Sequence, residues 1–337
     1  MKRIAILGGG SWGTALAIVL SRTHKPHEIS LWLRDAALAE SIRRDRENTL
    51  YLPGHKLPET VQVTHDAAAA LESAEVIVGA VPAAHARGVY QRVLPQIVRG
   101  AAIVSATKGL EPGTHARMSE VIFQSSRDVS PEFPPRIAVL SGPSFAAEAA
   151  AGQPTAVVLA SSDLALANEL QDEFAGPTFR LYTNGDVLGV ELAGAMKNVM
   201  AIAAGVCQGI GLAFNPLAAL ITRGLAEMTR LAVSFGARPE TLSGLAGLGD
   251  LVLTCTGSLS RNRHVGIELG KGRSLSDVLE GMKMIAEGVG TAGALLALAR
   301  EAGIELPITE QVDAILNLCK PPREAIRSVM DRPLKRE

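Results

Sequence analysis

The chain has 337 residues, of which 47% are hydrophobic and 20% charged, a profile typical of a folded protein large enough for two domains. Its 33 basic and 34 acidic side chains leave a formal net charge of -1, which argues against nucleic-acid binding and against a polybasic membrane surface. Three widely separated cysteines, Cys207, Cys255 and Cys319, lack metal-ligand spacing, so we predict a reducing, cytoplasmic setting and no metal site. These properties favour a small-molecule partner.

No part of the sequence predicts export or membrane insertion. Lys2 and Arg3 precede only a short apolar strand, so we expect no signal peptide and a mature chain that begins here. The most hydrophobic region, residues 187–221, contains Glu191, Lys197 and several glycines, whereas a membrane span needs ~20 predominantly apolar residues. We therefore predict a buried helix there and no integral membrane segment.

Strand and helix patterns alternate through the first half of the chain, as is typical of a doubly wound, mostly parallel sheet. Strands are predicted at residues 4–7, 28–33, 61–64, 76–82, 102–106 and 137–141, with further strands at 157–160 and 179–183, and helices at 12–22, 84–94 and 114–126.

From residue 186 the β-branched runs disappear and Ala-, Leu-, Met- and Gly-rich helical patterns continue to Met330. Helices are predicted at residues 187–206, 216–235, 262–269, 275–283, 291–302 and 309–318, and the residues after Pro333 are expected to fray. We therefore predict two domains, an α/β domain over residues 1–185 and an all-helical domain over residues 186–333.

The first strand runs directly into a glycine motif. Gly8, Gly10 and Gly13 have the G-x-G-x-x-G spacing between a strand and a helix, which is the context in which this motif binds a dinucleotide. The first glycine permits a tight turn, the second lets the backbone approach a pyrophosphate, and the third lets the helix pack close to the strand. The alternative, a tight turn without a ligand, is the weaker interpretation because strand, spacing and position agree.

Arg34 and Asp35 follow the second predicted strand, where a dinucleotide fold meets the adenosine ribose. An acidic side chain there favours NAD, and a basic one accommodates the 2′-phosphate of NADP. Arg34 favours NADP, although a solvated loop arginine and NAD binding both stay open.

Further polar residues follow later strands, at the sheet edge where α/β proteins bind ligands. Lys108 can point a cation at a carbonyl or phosphate, although a surface lysine is the alternative. Residues 141–148 turn from a strand into a helix whose first N–H groups can hold an anion. Val81 and Pro82 would form a wall beside a dinucleotide.

In the helical half, Lys197 lies among small and apolar neighbours. Burial would lower its pKa and suit it to proton transfer, whereas a snorkelling lysine is the equal alternative. Asp250 follows a glycine-rich bend. Ser260, Arg261 and Asn262 stand at a predicted helix start and suit a phosphate, with a plain serine cap as the rival interpretation. Cys255 has no histidine partner placed for a nucleophile.

Together these motifs closely resemble bacterial NAD(P)-dependent glycerol-3-phosphate dehydrogenases. The resemblance rests on residues 8–17, 106–111, 140–146, 191–199, 246–251 and 260–263, and continues through 287–288 and 306–310. It implies a Rossmann domain followed by an all-α domain of the 6-phosphogluconate-dehydrogenase-like type, and a homodimer. It also implies interconversion of dihydroxyacetone phosphate, a phosphorylated triose, and sn-glycerol 3-phosphate, which supplies glycerophospholipid synthesis.

By matching motif, the resemblance makes Lys197 the proton-transferring lysine, with Lys108 and Asp250 as catalytic partners. The implied substrate contacts are Lys108, Gly142, Ser144, Lys197, Asp250, Ser260, Arg261 and Asn262. The implied NADP or NAD contacts are Gly8, Gly10, Ser11, Trp12, Gly13, Arg34, Lys108, Ala146, Arg261, Ile285 and Glu287. The sequence departs from relatives in a longer loop at residues 23–27 and in the glycines that follow Glu287.

Two other functions remain open from sequence. A sibling dehydrogenase of the same plan would reduce another carbonyl compound, such as a 3-hydroxy acid's keto form or a sugar phosphate. A cofactor-sensing regulatory protein would bind NAD(P)H without turnover, and the set of Lys108, Lys197 and Asp250 argues against it.

Overall fold

A computed structural model describes residues 1–129, 135–282 and 284–334. The chain separates into two compact units. The first unit comprises Met1–Glu111 and Ala116–Glu191, and the second comprises Pro112–His115 and Leu192–Glu337.

The first unit is built on an eight-stranded sheet in the order β3-β2-β1-β4-β5-β6-β7-β8. The strands are β1 (Lys2–Leu7), β2 (His27–Trp32), β3 (Val61–Thr64), β4 (Val76–Gly79), β5 (Ala102–Ser105), β6 (Arg136–Ser141), β7 (Thr155–Ala160) and β8 (Phe179–Asn184). Neighbouring strands run parallel except β6 and β7, which pair antiparallel. The predicted doubly wound, mostly parallel sheet is confirmed.

Seven helices cover the two faces of this sheet. They are α1 (Ser11–Leu20), α2 (Ala36–Asp45), α3 (Ala67–Leu71), α4 (Ala83–Val93), α5 (Met118–Val129), α6 (Ala146–Ala150) and α7 (Leu164–Phe174). Alternate residues of the buried strands enter different cores: Ile6 belongs to the core that also contains residues of α1, α2, α6 and α7, and Leu7 to the core that contains residues of α3, α4 and α5. This alternation is the consequence of the two-residue period of a strand.

The start predicted for the helix at residue 114 is wrong. Gly113 and His115 have positive φ angles of 83° and 59°, which a right-handed helix does not accommodate. The helix α5 therefore begins only at Met118.

The second unit is helical, as predicted. Its helices are α8 (Val187–Gly209), which starts in the first unit, α9 (Phe214–Ser234), α10 (Pro239–Ser243), α11 (Asp250–Thr256), α12 (Arg261–Gly270), α13 (Leu275–Glu280), α14 (Glu287–Ala302), α15 (Pro307–Asn317) and α16 (Pro322–Met330). The glycine-rich bend before Asp250 is a π-helical turn over Leu245–Gly249. The predicted helix end at Lys283 lies outside the described residues, as do the last three residues of the predicted frayed tail.

The helices α8 and α12 approach each other through paired glycines. A Cβ on Gly205 would lie 2.0 Å from the Arg263 carbonyl oxygen, and one on Gly266 would lie 2.0 Å from that of Ile202. Gly209 and Gly270 meet in the same way one turn further on. Side chains are therefore excluded along this contact.

The helix α8 is long and apolar enough to cross a membrane by length and composition alone. Of the apolar window that defines it, 89% is buried inside the protein, which is also the property of a core helix. A bent pair formed by Pro239–Thr256 and Arg261–Gly270 passes the same test only when taken as one segment.

Candidate active site

The glycine motif lies at the point where the strand order reverses: from β1 the sheet continues to β2 and β3 on one side and to β4 and β5 on the other. Ligands bind outside the carboxyl ends of strands at such a point. Gly8 has a φ of +110°, and a Cβ there would lie 2.7 Å from the Ala80 carbonyl oxygen. A Cβ on Gly13 would lie 1.8 Å from the Gly8 carbonyl oxygen. These glycines are required by close backbone approach, as the motif predicts.

Gly10 differs from its neighbours because no protein atom lies within 4 Å of where its Cβ would be. It is the N-cap of α1, and no side chain caps this helix. Free N–H groups at a helix start, next to open space, form a site for an anion. The turn therefore fits the diphosphate of a dinucleotide.

Ser11 and Trp12 form the first turn of α1. The Ser11 hydroxyl donates to the Tyr51 carbonyl oxygen at 2.7 Å, so this hydroxyl is engaged by the protein. Trp12 packs against the core of the first unit, and its buried indole N–H has no partner within the described residues. Their roles as cofactor contacts stay predictions.

At the predicted ribose end, Arg34 and Asp35 have different environments. Asp35 accepts a hydrogen bond from the Leu38 N–H at 2.9 Å and so caps α2. Arg34 is exposed. Because the carboxylate is committed to the helix cap, the guanidinium is the more available of the two groups.

Lys108, Gly142 and Ser144 come together at the edge formed by the ends of β5 and β6. The Lys108 ammonium group donates to the Gly142 carbonyl oxygen at 2.7 Å and to the Ser144 hydroxyl at 3.2 Å. Ser144 donates in turn to the same carbonyl oxygen at 2.8 Å. This lysine is therefore held by the protein and is not a freely solvated surface residue.

The helix that follows β6 is short. It is α6, which has only five residues and starts at Ala146. The predicted anion site at this helix start has no support beyond the position of Ala146 itself.

In the second unit, Lys197 and Asp250 form a buried ion pair. The Lys197 Nζ lies 2.9 Å from Asp250 Oδ1, and the two side chains are 8% and 1% exposed. The charge lies in the interior of the unit, so the snorkelling alternative is wrong. A buried ion pair is costly to break, because removing one partner leaves an uncompensated buried charge.

Thr254 completes this cluster and was not singled out from the sequence. Its hydroxyl donates to the Asp250 carbonyl oxygen at 2.6 Å and accepts from the Lys197 Nζ at 2.8 Å. Residues four apart on a helix share a face, so a helix starting at Asp250 was the signal that identifies Thr254.

Ser260 caps α12 by accepting from the Arg263 N–H at 3.2 Å, so its side chain already has the role of a plain helix cap. Arg261 is exposed at the first position of this helix. Although the residue as a whole is exposed, desolvation by the surrounding protein lowers the pKa of its guanidinium, and Glu287, the first residue of α14, opposes this shift. Ile285, just before that helix, is 46% exposed.

Asn262 is buried, and both ends of its amide bind protein groups. Its Nδ2 donates to Asn198 Oδ1 at 2.9 Å, and its Oδ1 accepts from the Gly288 N–H at 2.9 Å. The amide therefore links α8, α12 and the start of α14. Its substrate role stays a prediction, because each end of the amide keeps a second hydrogen or lone pair beyond these two bonds.

Cys255 adjoins the Lys197 cluster but does not suit nucleophilic chemistry. Burial raises the pKa of its thiol to about 12, so the thiol is protonated near neutral pH. In the part of the chain that the structure describes, no group of three or more His, Cys, Asp or Glu residues is placed to hold a metal ion.

A diphosphate cradle on a doubly wound sheet is the arrangement that binds a dinucleotide, and a buried lysine held by a carboxylate and a hydroxyl is a group that can transfer a proton. The chain is thus an oxidoreductase of the Rossmann class. Models of the N-terminal and C-terminal parts of NAD-dependent glycerol-3-phosphate dehydrogenase match residues 3–167 and 186–327. The chain belongs to this family.

The chain is similar over nearly its full length to named relatives and to a solved structure. The chain is 53% identical to a glycerol-3-phosphate dehydrogenase (NAD(P)+) of Koribacter versatilis (strain Ellin345), over 99% of this chain and 98% of that protein. It is 54% identical to the enzyme of the same name from Acidobacterium capsulatum, over 99% of both. A crystal structure of glycerol-3-phosphate dehydrogenase from Coxiella burnetii is 41% identical and superposes with a TM-score of 0.92, over 98% of this chain and 99% of that chain.

Proposed function

We propose that this protein interconverts dihydroxyacetone phosphate and sn-glycerol 3-phosphate with NADPH or NADH. The observation that carries the proposal is the buried Lys197–Asp250–Thr254 cluster in a chain of this family. A lysine held between a carboxylate and a hydroxyl can exchange a proton with a substrate oxygen.

The dinucleotide, when bound to the domain of residues 1–185, supplies or accepts the hydride at C2 of the substrate. In the reduction, Lys197 donates a proton to the C2 oxygen as negative charge develops there. In the oxidation, neutral Lys197 takes the hydroxyl proton. Asp250 and Thr254 hold the Nζ of Lys197 in place, and Lys108 stabilises charge on the substrate oxygen.

The phosphate of the substrate is assigned to the start of α12. Exposed Arg261 provides a guanidinium for a dianion, and the helix start adds its N–H groups. Ser260, Asn262, Gly142 and Ser144 are the remaining proposed substrate contacts, with Ser260 and Asn262 acting through the α12 backbone that they hold.

We further propose that NADPH is preferred, because Arg34 is available where Asp35 is engaged as a helix cap. The remaining proposed cofactor contacts are Gly8, Gly10, Ser11, Trp12, Gly13, Lys108, Ala146, Arg261, Ile285 and Glu287. A cytoplasmic homodimer that supplies glycerol 3-phosphate for glycerophospholipids completes the proposal.

One assay tests the reaction. The absorbance of NADPH is followed with and without dihydroxyacetone phosphate, and then with NADH. We expect oxidation only when dihydroxyacetone phosphate is present. Turnover with another carbonyl compound and not with this one would identify a sibling dehydrogenase, and binding without any turnover would identify a regulatory protein.

Cofactor preference is tested in the same assay with Arg34→Ala. We expect the ratio of kcat/KM for NADPH to that for NADH to fall, because the 2′-phosphate loses its cation. An unchanged ratio would remove Arg34 from the proposal.

A further inference from the structure

The segment of residues 46–57, between α2 and β3, has so far entered the site only through the Tyr51 carbonyl oxygen, which accepts from Ser11. Hydrogen bonds between its own residues hold it together. The Leu52 N–H donates to the Asn48 carbonyl oxygen at 2.8 Å, and the Leu57 N–H donates to that of Arg46 at 2.8 Å. Glu47 pairs with Lys56 at 3.0 Å. The segment, here called the 46–57 loop, is thus internally fixed.

Asn48 joins this loop to the glycine motif. It is fully buried, and its Nδ2 donates to the Gly9 carbonyl oxygen and to the Thr14 hydroxyl, both at 2.8 Å. Its Oδ1 accepts from the Tyr51 N–H at 3.2 Å. Both amide hydrogens therefore bind the turn and the helix that follow β1.

The hydrogen bond from Asn48 to the Gly9 carbonyl also fixes the direction of the Gly10 N–H, which belongs to the same peptide group. In a trans peptide the carbonyl of one residue and the N–H of the next point in opposite directions. Holding the Gly9 carbonyl on Asn48 therefore directs the Gly10 N–H away from Asn48. This N–H has no hydrogen-bond partner within the described residues, and the space beside Gly10 is open.

Without the Asn48 bond, the Gly9 carbonyl oxygen would keep only the longer bond from the Thr14 hydroxyl, at 3.4 Å. The peptide would then be less restrained, because consecutive glycines have the widest choice of backbone conformations. Ordering the turn on binding would then reduce affinity. A buried amide that orders it beforehand removes that cost.

We propose that Asn48 is a positioning residue of the dinucleotide site, which orients the Gly9–Gly10 peptide for the diphosphate. The proposal rests on the proposed function only in assigning a dinucleotide to this turn. Asn48 touches no ligand in this role and acts through Gly9.

The test uses the full chain with Asn48→Ala and measures dissociation constants for NADPH, ADP-ribose and 2′-AMP. ADP-ribose carries the diphosphate and 2′-AMP does not. Losing the bonds to Gly9 and Thr14 should raise the dissociation constants of NADPH and ADP-ribose about tenfold. That of 2′-AMP and the KM for dihydroxyacetone phosphate should stay within about twofold.

Two controls separate positioning from general loss of stability. Thr14→Val keeps the 2.8 Å Asn48–Gly9 bond and removes the hydroxyl with its longer, 3.4 Å bond to the Gly9 carbonyl oxygen, so it should change ADP-ribose affinity less than Asn48→Ala. Ser161→Ala removes another buried hydrogen bond of the same unit, to the Ile137 carbonyl oxygen at 2.7 Å, and should lower Tm without changing affinity. If Asn48→Ala does not fold, Asn48→Asp keeps the acceptor for Tyr51 and loses the donors, and its ADP-ribose affinity is measured at high salt.

An ADP-ribose dissociation constant within twofold of wild type in the Asn48 variant would overturn the proposal, as would equal losses for ADP-ribose and 2′-AMP. A wild type that binds ADP-ribose but does not reduce dihydroxyacetone phosphate contradicts the proposed reaction alone. A wild type that binds no ADP-ribose overturns the positioning role as well.

Discussion

The two candidate sites of this chain use different parts of the polypeptide. At the glycine motif of the first unit, the groups that face the ligand are backbone N–H groups, and the essential feature of Gly8, Gly10 and Gly13 is the absence of a side chain. In the second unit the chemistry belongs to the side chains of Lys197 and Asp250, which are buried and bonded to each other. The first site therefore depends on backbone conformation, and the second on packing between helices.

This difference determines what substitution does. A change in the glycine motif acts on cofactor affinity or on folding, depending on whether the added carbon meets ligand or protein. A change in the lysine cluster acts on kcat.

Lys197→Met should have the largest effect, because it removes the proton donor while keeping an apolar stem of similar length. We expect kcat with dihydroxyacetone phosphate to fall by about 100-fold or more, with the NADPH dissociation constant within twofold of wild type. Lys271→Met, at an exposed lysine of the same unit, is the control and should leave kcat unchanged. A kcat within a few-fold of wild type would remove Lys197 from the mechanism.

Gly10→Ala and Gly13→Ala should separate ligand contact from folding. The Gly10 methyl group meets no protein atom within 4 Å, so Tm should be retained while NADPH affinity falls about tenfold, as expected for a lost hydrogen bond to a charged group. The Gly13 methyl group would lie 1.8 Å from the Gly8 carbonyl oxygen, and such overpacking costs about 1–3 kcal/mol or more. Thermal unfolding and fluorescence titration measure the two effects, and a loss of Tm in Gly10→Ala would contradict the distinction.

Thr254→Val tests whether the hydroxyl contributes to the lysine cluster. Removing one acceptor from the Lys197 ammonium group should lower kcat about tenfold, because hydrogen bonds to charged groups contribute about 1.5–3 kcal/mol. Thr256→Val is the matched control, since Thr256 lies on the same helix and its hydroxyl donates to the Val252 carbonyl oxygen at 2.8 Å. Equal effects of the two variants would show that Thr254 is structural.

Glu227 affects stability and not catalysis, through a change in the free energy of unfolding with pH. Burial raises the pKa of this carboxyl to about 7, although it accepts hydrogen bonds from the N–H groups of Ile308 and Thr309 at the start of α15. In the unfolded chain it titrates near 4.5. Its contribution to stability is therefore complete below pH 4.5 and is lost as pH rises to about 7.

Between pH 5 and pH 8 the free energy of unfolding should therefore fall in wild type relative to Glu227→Gln, by roughly 3 kcal/mol at most. Urea unfolding of both proteins at the two pH values measures this difference. Parallel pH dependence in the two proteins would show that Glu227 does not titrate in this range.

The same contrast explains what could be predicted from sequence. The glycine motif was recognisable because its chemistry is local, and the alternation of strands and helices defined the sheet. Lys197 and Asp250 were recognisable by resemblance to a family, but Thr254 required the start of α11 after a π-helical turn. Asn48 was missed because its partners, Gly9 and Thr14, lie far away in sequence. Asn262 was assigned to substrate, and only the folded chain shows its amide bonded on both sides.

The paired glycines of α8 and α12 carry a consequence for how this enzyme can evolve. Gly205 and Gly266 lie away from Lys197 and Arg261 along their helices, yet they determine how closely those helices approach. A single methyl group at either position would meet the backbone of the facing helix and push α8 and α12 apart. We expect a mutational scan to record both positions as intolerant of substitution. Adaptive or drug-resistance substitutions are therefore not expected at Gly205 or Gly266.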